Sequence, residues 1–453
     1  MRILIVGNGK VGYTLAESLA SEKHDITVID KDYDALSSAA ERLDVMHLKG
    51  NGASISTLKQ AGAENAGIVI AVTMSDEVNM LCCLTAKKLG AKHTIARIRD
   101  PEYVRDVSMF KRQLDIDLVI NPERSTAAEI MRLLRFPAAV EIDTFSGGQI
   151  ELVGLRVIKD DFICGMSIKE LRKKTKAEIL ICIVERGGNV HIPRGDFVIE
   201  SGDLVFVAGM YTDITKFFRA IGRTTSMAEN VMILGGGKTA YYLAAQAHRV
   251  GIKSVIIEVD EAKCARLAEG LPHATVINGD GMEQELLESE NIRGMDAFAA
   301  LTRSDEENLI ISLFANQCGV RKVVAKADRQ NYAPFVKSLG VESVISPKEI
   351  TVNHILHFVR GLTGSRGGSV KALYRLLDGR VEALEFVVSR DMRGFGEKIK
   401  DLPIKSGVVI AAISHSGKSI VPDGHTVLKE GDNVVVVTVH PGFDELNDIF
   451  ERQ

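Results

Sequence analysis

The stretch Gly7-Asn8-Gly9-Lys10-Val11-Gly12 follows an apolar run, Ile3 to Val6, and opens a segment in which Val11, Leu15 and Leu19 recur every four residues. A short apolar run ended by glycines reads as a strand buried on both faces. Apolar residues four apart read as one face of a helix. At such a turn the glycines have separable uses: Gly7 permits the tight turn, Gly9 lets the main chain approach a pyrophosphate, and Gly12 lets the helix pack closely on the strand. The new helix points its free N–H groups at the phosphates. Asp30 closes the next apolar run 21 residues after Gly9, where a carboxylate can bind a ribose 2′-hydroxyl and repel a 2′-phosphate. The competing reading is a turn that needs its glycines for structure alone.

A near-copy, Gly235-Gly236-Gly237-Lys238-Thr239-Ala240, recurs at an offset of 228, with Glu258 where Asp30 stands. Alanine is tolerated at the third position, which serves packing. The alternative is a decayed copy that only packs. Thr73 and Thr302 close the fourth apolar run of each copy, at the carboxyl edge of the sheet, where ligands lie in such folds. Ser75 after Thr73 reads as a helix N-cap, with Asp76 and Glu77 in the favourable first turn. Arg97 and Lys326 end the fifth runs; Arg97 could reach a phosphate, or could be a solvated surface residue.

The elements that position these residues are themselves duplicated. "AVTMSDEVNM" (71–80) meets "ALTRSDEENL" (300–309), and "IPRGDFVIESGDLVFVAG" (192–209) meets "VPDGHTVLKEGDNVVVVT" (421–438), both at offset 229. The order is therefore a two-domain unit repeated: residues 1–125 and 228–350 as the large domains, 140–225 and 368–453 as the small ones. In each large domain apolar runs (3–6, 26–30, 45–48, 67–72 and 94–97; 231–234, 254–258, 275–277, 297–301 and 322–326) alternate with helical segments such as 77–89. That alternation predicts an α/β, doubly wound Rossmann-like sheet. The small domains read as α+β, with strands at 152–158 and 178–184, a helix at 167–174 and a closing helix near 213–221. The second is expected to repeat this down to a closing helix at 444–450. Helical joints are expected at 126–141 and 352–368, the latter ending in a Gly/Ser-rich linker. Helices at such joints either exchange between subunits or merely link domains.

Composition narrows the function. A net charge of −4 over 453 residues gives no broad nucleic-acid footprint. No run reaches the roughly 18 apolar residues that span a bilayer, and the opening residues break into glycines too soon for a signal peptide, so a cytoplasmic protein is expected. The six cysteines form no Cys-x-x-Cys pair and read as buried, reduced thiols. A dehydrogenase needs a proton donor or acceptor beside the nicotinamide, and neither copy offers an obvious one. Neither Lys10 nor Lys238 stands in the full Gly-x-x-x-x-Gly-Lys-Ser/Thr motif. His354 and His357, three apart on a helix, have no third metal ligand in view.

The ordered motifs "GNGKVG", "VID", "AVTMSDEVNM", "ARIRDPEY" and "INPE", with the paired "GDLVFV" and "GDNVVV" segments, resemble the tandem KTN/RCK regulatory family of potassium channels and transporters over essentially the whole chain. The resemblance implies a regulatory subunit with no catalytic cycle. It would be peripheral on the cytoplasmic face of the membrane, assembled as a homotetrameric ring beneath a Trk-type potassium-translocating subunit. It also implies binding of NAD(H) and of ATP or ADP. Carried over residue by residue, the nucleotide contacts fall on Gly7, Asn8, Gly9, Lys10, Val11, Asp30, Thr73, Met74 and Arg97. In the second copy they fall on Gly235, Gly236, Gly237, Lys238, Thr239, Glu258, Thr302, Arg303 and Lys326. Ala240 for the third glycine and lysine for arginine at 326 are the departures. An NAD-dependent oxidoreductase and a sensor for another cation transporter are the competing readings.

Overall fold

The computed structural model describes every residue except 33–35, 37–42, 146–147, 224–225, 330–331, 364–369, 378, 416–417 and 452–453; the Gly/Ser-rich part of the second joint lies outside the described residues. Residues Met1–Met131 and Glu229–Val359 form one unit, Arg132–Ala228 and Arg360–Gln453 another.

In the first unit each copy is a six-stranded parallel sheet. Copy one has β1 (Arg2–Val6), β2 (Asp25–Asp30), β3 (Met46–Lys49), β4 (Ile68–Ala71), β5 (His93–Arg97) and β6 (Leu118–Ile120), ordered β3-β2-β1-β4-β5-β6. Ile3 to Val6 are shut off from solvent, as expected of a central strand flanked by helices on both faces. The order reverses between β1 and β4, and the glycine loop leaves β1 at that switch point. Copy two repeats the plan, with the sheet's central strand at Asn230–Leu234, flanked by Lys253–Glu258 and Ala297–Ala300.

The sixth strands, Leu118–Ile120 and Ser343–Ile345, are absent from the expectation above. Each is three residues long and lies at a sheet edge, too short to carry a period. Between Arg97 and Ile120 copy one fits the helices Pro101–Arg105 and Val107–Gln113. The matching interval in copy two, Lys326 to Ile345, is four residues shorter, and its described helix is Ala333–Ser338.

The second unit holds two five-stranded antiparallel sheets. A single apolar cluster draws Phe145, Ile150 and Phe206 from one and Leu376, Val381 and Val437 from the other, and the Phe145 and Tyr374 rings meet edge-on at 4.5 Å. The first small domain has its expected helices, Ile168–Thr175, closed by a Ser167/Glu170 capping box, and Tyr211–Ala220. The second does not repeat them. Among its described residues only 3₁₀ turns occur, at Ile399–Asp401 and Leu446–Ile449. Pro403 disfavours helix at the residue before it, and Pro441-Gly442 leaves little chain for a closing helix.

The joints begin at proline in both copies, Pro122–Arg135 and Pro347–Thr363, where a missing N–H is harmless. All six cysteines carry free thiols, five of them buried and Cys164 partly so.

Candidate functional site

The loop after β1 is built as its glycines require. Gly7 has φ +103°, and a Cβ there would lie 2.9 Å from the Thr73 nitrogen. A Cβ on Gly12 would fall 1.8 Å from the Gly7 carbonyl oxygen, whereas one on Gly9 would meet nothing within 4 Å. The first and third glycines are therefore held by packing, and the second faces open space, the geometry a phosphate needs to reach the main chain. No side chain caps the helix Lys10–Ser21 that follows. Its first N–H groups remain available to an anion.

Asp30 closes β2 half-buried beside this loop. Its carboxylate accepts the Asn8 N–H at 2.5 Å and the Asp32 N–H at 3.0 Å, so the acid and the loop are tied together. Thr73, beyond β4, donates through its N–H (2.8 Å) and hydroxyl (2.7 Å) to Asn79 Oδ1. Asn79 in turn donates to the carbonyls of Arg97 (2.8 Å) and Thr73 (3.2 Å). This fully buried amide staples the ends of β4 and β5. Met74 is 82% exposed, with its sulfur 3.7 Å from Arg97 Nη2.

Arg97 is not a solvated surface residue. It is 9% exposed, donates from Nη2 to the Thr73 carbonyl at 2.6 Å, and leaves Nε buried with no partner among the described residues. Burial, with Arg99 close by, pulls its pKa below the ordinary value. A buried guanidinium with an unused donor beside an open glycine loop suits an anionic ligand.

Ser75 is the N-cap of helix Asp76–Leu89, accepting from the Val78 N–H. Asp76 does more than sit in the first turn. It is buried and accepts the Arg99 and Asp100 N–H groups, each at 2.8 Å, so it clamps the loop after β5. The sequence signal for Asn79 and Asp76 was their identity in both copies. Copy two has the same frame: Asn308 holds Thr302 and the Lys326 carbonyl, and Asp305 holds the Asp328 and Arg329 amides.

At the second loop Gly235 has φ +93°, Gly237 again faces open space, and Ala240 is fully buried. Thr239 is buried and Arg303 exposed. Glu258 differs from Asp30. It is 7% exposed, accepts the Gly236 N–H (2.7 Å) and the Asp260 N–H (3.0 Å), and pairs with Lys263 at 3.2 Å. Burial alone would raise its carboxyl, but these bonds outweigh it and hold the pKa below the usual range. Lys326 is half-buried, and burial lowers its pKa against the pull of Asp328 and Asp305.

Neither first-turn lysine stays on its own loop. Lys10 reaches Asp328 at 3.1 Å and Lys238 reaches Asp100 at 2.9 Å, so each copy's helix start is tied to the loop after the other copy's fifth strand, His93–Arg97 or Lys322–Lys326. Tyr242 adds a third link, accepting from Asn121 at 3.1 Å and donating to the Arg99 carbonyl at 3.2 Å. A cleft of about 420 Å³, lined by Met74–Glu77, Arg99, Asp100, Glu102, Tyr103 and Lys238, opens beside Thr73 and not over Gly9.

Paired parallel sheets with glycine loops at their switch points, and paired antiparallel domains in the second unit, define a duplicated two-domain architecture. The TrkA-N domain family matches residues 3–122 and again 231–347, and the TrkA-C domain family matches 152–222 and 384–451. The chain is 33% identical over 459 residues to the Trk system potassium uptake protein TrkA homolog 1 of Methanosarcina mazei, covering 100% of both chains. It is 34% identical over 451 residues to the TrkA homolog of Archaeoglobus fulgidus, covering 99% of this chain and 100% of that one. It belongs to the Trk system potassium uptake protein TrkA family. Among solved structures, the GsuK channel bound to NAD shares the fold, with a TM-score of 0.63 over 96% of this chain and 76% of that one, at 20% identity. Among the described residues no helix is long and apolar enough to cross a membrane.

Proposed function

We propose that this chain is a nucleotide-responsive regulatory subunit that gates a Trk-type potassium uptake transporter from the cytoplasmic face of the membrane. The observation that carries the reading is the first loop: Gly9 faces open space, Asp30 is tied to the same loop, and the buried Arg97 keeps an unused Nε donor beside them. The family membership supplies the potassium-uptake context, and the NAD of the GsuK structure shows the ligand class that this fold accommodates in a neighbour. On this reading NAD(H) lays its pyrophosphate on the loop amides and its ribose hydroxyls on Asp30, with ATP and ADP competing for the adenosine half.

A ligand shifts a conformational equilibrium only by its differential affinity for the states. A coupling of about 1–3 kcal/mol is typical. Helices Pro122–Arg135 and Pro347–Thr363 leave the nucleotide-loop domains and are the covalent route by which occupancy is relayed. The working form is a homotetrameric ring beneath the membrane subunit, with no catalytic turnover.

The test is potassium flux in liposomes holding the membrane subunit and this chain. NADH or ADP is expected to change the flux, and Asp30→Ala and Gly9→Ala to abolish the response without unfolding the chain. A flux indifferent to nucleotide sinks the proposal, and steady NADH consumption with a hydride acceptor would favour an oxidoreductase instead.

A further inference from the structure

We propose that the second glycine loop does not read a nucleotide's ribose, because Lys263 and Leu267 occupy the place where the sugar would be recognised, so that each chain takes up one adenine nucleotide and not two. The inference rests on the nucleotide reading of the first loop.

A carboxylate at the end of the second strand recognises a ribose by accepting hydrogen bonds from its hydroxyls. Asp30 accepts two backbone N–H groups and is half-exposed. Glu258 also accepts two backbone N–H groups but is buried, and its Oε1 takes the Lys263 ammonium at 3.2 Å. Lys263 lies 3.6 Å from Asp260 as well. A sugar hydroxyl arriving there must displace a charge-assisted bond, which is about twice as strong as a neutral one, and the displaced ammonium loses its carboxylate.

The second obstruction is steric. A Cβ built on Gly236 would lie 2.5 Å from Leu267 Cδ1 and 3.0 Å from Glu258 Cβ. The middle of the loop is thus covered by the helix Glu261–Gly270, while Gly237 remains open. In the first loop the buried Asn8 fills the aligned place, and the sequence shows that Lys263 and Leu267 themselves are particular to copy two. With Asp30 aligned on Glu258, Lys263 falls on Ala35 and Leu267 on Ala39.

The test is calorimetric titration of the full chain with NADH and, separately, with ADP. One equivalent per chain is expected. Asp30→Ala should abolish it, whereas Glu258→Ala should leave both stoichiometry and affinity within about twofold. Lys263→Ala with Leu267→Ala, which installs the residues copy one carries, should add a second equivalent, and Lys263→Arg should not. Two equivalents of similar affinity in the unaltered chain overturn the inference but leave the first-loop reading intact. So does a double variant that melts normally yet still takes one. An Asp30→Ala variant that keeps its nucleotide while Glu258→Ala loses it overturns the first-loop reading as well. No uptake by the unaltered chain overturns both. Lys263 is one-third exposed, so Lys263→Ala alone serves if the double variant does not fold; it should then bring out a second, weaker uptake that the unaltered chain lacks.

Discussion

The two copies in the first unit agree where side chains hold backbone and differ at the acid that ends the second strand and the cation that ends the fifth. Asn79 and Asn308 make the same staple between the fourth and fifth strands, and Asp76 and Asp305 clamp the same loop. By contrast Asp30 is open where Glu258 is covered, and Arg97 is matched by Lys326. An error in a buried hydrogen-bond network leaves polar groups unsatisfied and is costly in any copy. On the one-nucleotide proposal, a change at the second loop carries no such penalty, so that duplication would preserve the scaffold and free that site to drift.

The largest expected effect tests the shared half of that comparison. Asn79→Ala removes the partner of the Thr73 N–H and of the Arg97 carbonyl, both at the carboxyl edge of the sheet. Each unsatisfied buried group costs about 1–3 kcal/mol, so a loss of roughly 3–5 kcal/mol is expected in chemical denaturation of the full chain. Asn308→Ala should lose a similar amount. If one variant is nearly neutral, the staple is not a common device and the two frames are held differently.

How much of this could be read beforehand follows from the same division. The glycine loops, their acids and the central strands are local patterns: apolar runs, a turn, a fixed spacing. They appear where the sequence places them. The three-residue edge strand Leu118–Ile120 carries too little pattern to detect. Burial of Arg97 is decided by a chain segment far away, around Thr73, so residue type alone leaves Arg97 as readily on the surface as beneath it. The pairing of Lys10 with Asp328 spans 318 positions, and nothing in either residue's neighbourhood signals it. Among the described residues the second small domain lacks the two helices that the repeat predicts, because a repeat carries over the pattern of elements and not the local breakers, Pro403 and Pro441, that end them here.

A second effect sharpens a difference at the opposite edge of the sheets. Copy one places His93 at the start of β5, 3.2 Å from Asp117. Copy two places Lys322 there, 5% exposed, with Nζ 2.6 Å from Ser343 Oγ. Burial pulls the Lys322 pKa down to about 8, against the pull of Glu342. The folded value lies below the unfolded one, near 10.4 for a free lysine. Between these values the unfolded chain holds more protons, so stability rises with pH. Below about pH 8 both states are protonated and the folded state bears the whole penalty. Relative to Lys322→Met, the unaltered chain should therefore gain stability from about pH 8 to 10.4, by up to about 3 kcal/mol, and show a flat difference below. His93→Met has no lysine to deprotonate in that window and should leave it flat. A flat difference for Lys322→Met as well would place its ammonium in contact with water.

The smallest effect concerns what the copies share with each other. Lys10–Asp328 and Lys238–Asp100 are equivalent bridges, each running from a loop's helix to the other copy. They are not equally sheltered: the lysine side chain is 67% exposed in the first and 38% in the second. Exposed pairs contribute about 0.2–1 kcal/mol and weaken with salt. A double-mutant cycle on Lys10→Ala and Asp328→Asn should give a coupling near the lower end, and the cycle on Lys238→Ala and Asp100→Asn a larger one. Asp100 also accepts the Glu102 N–H as helix cap, so the asparagine, which keeps that acceptor, isolates the charge. On the nucleotide reading, a bound phosphate competes with Asp328 for Lys10. Saturating NADH should then abolish the first coupling and leave the second, at a loop that takes no nucleotide, unchanged. Equal loss of both couplings would mean that the two loops still answer the same ligand.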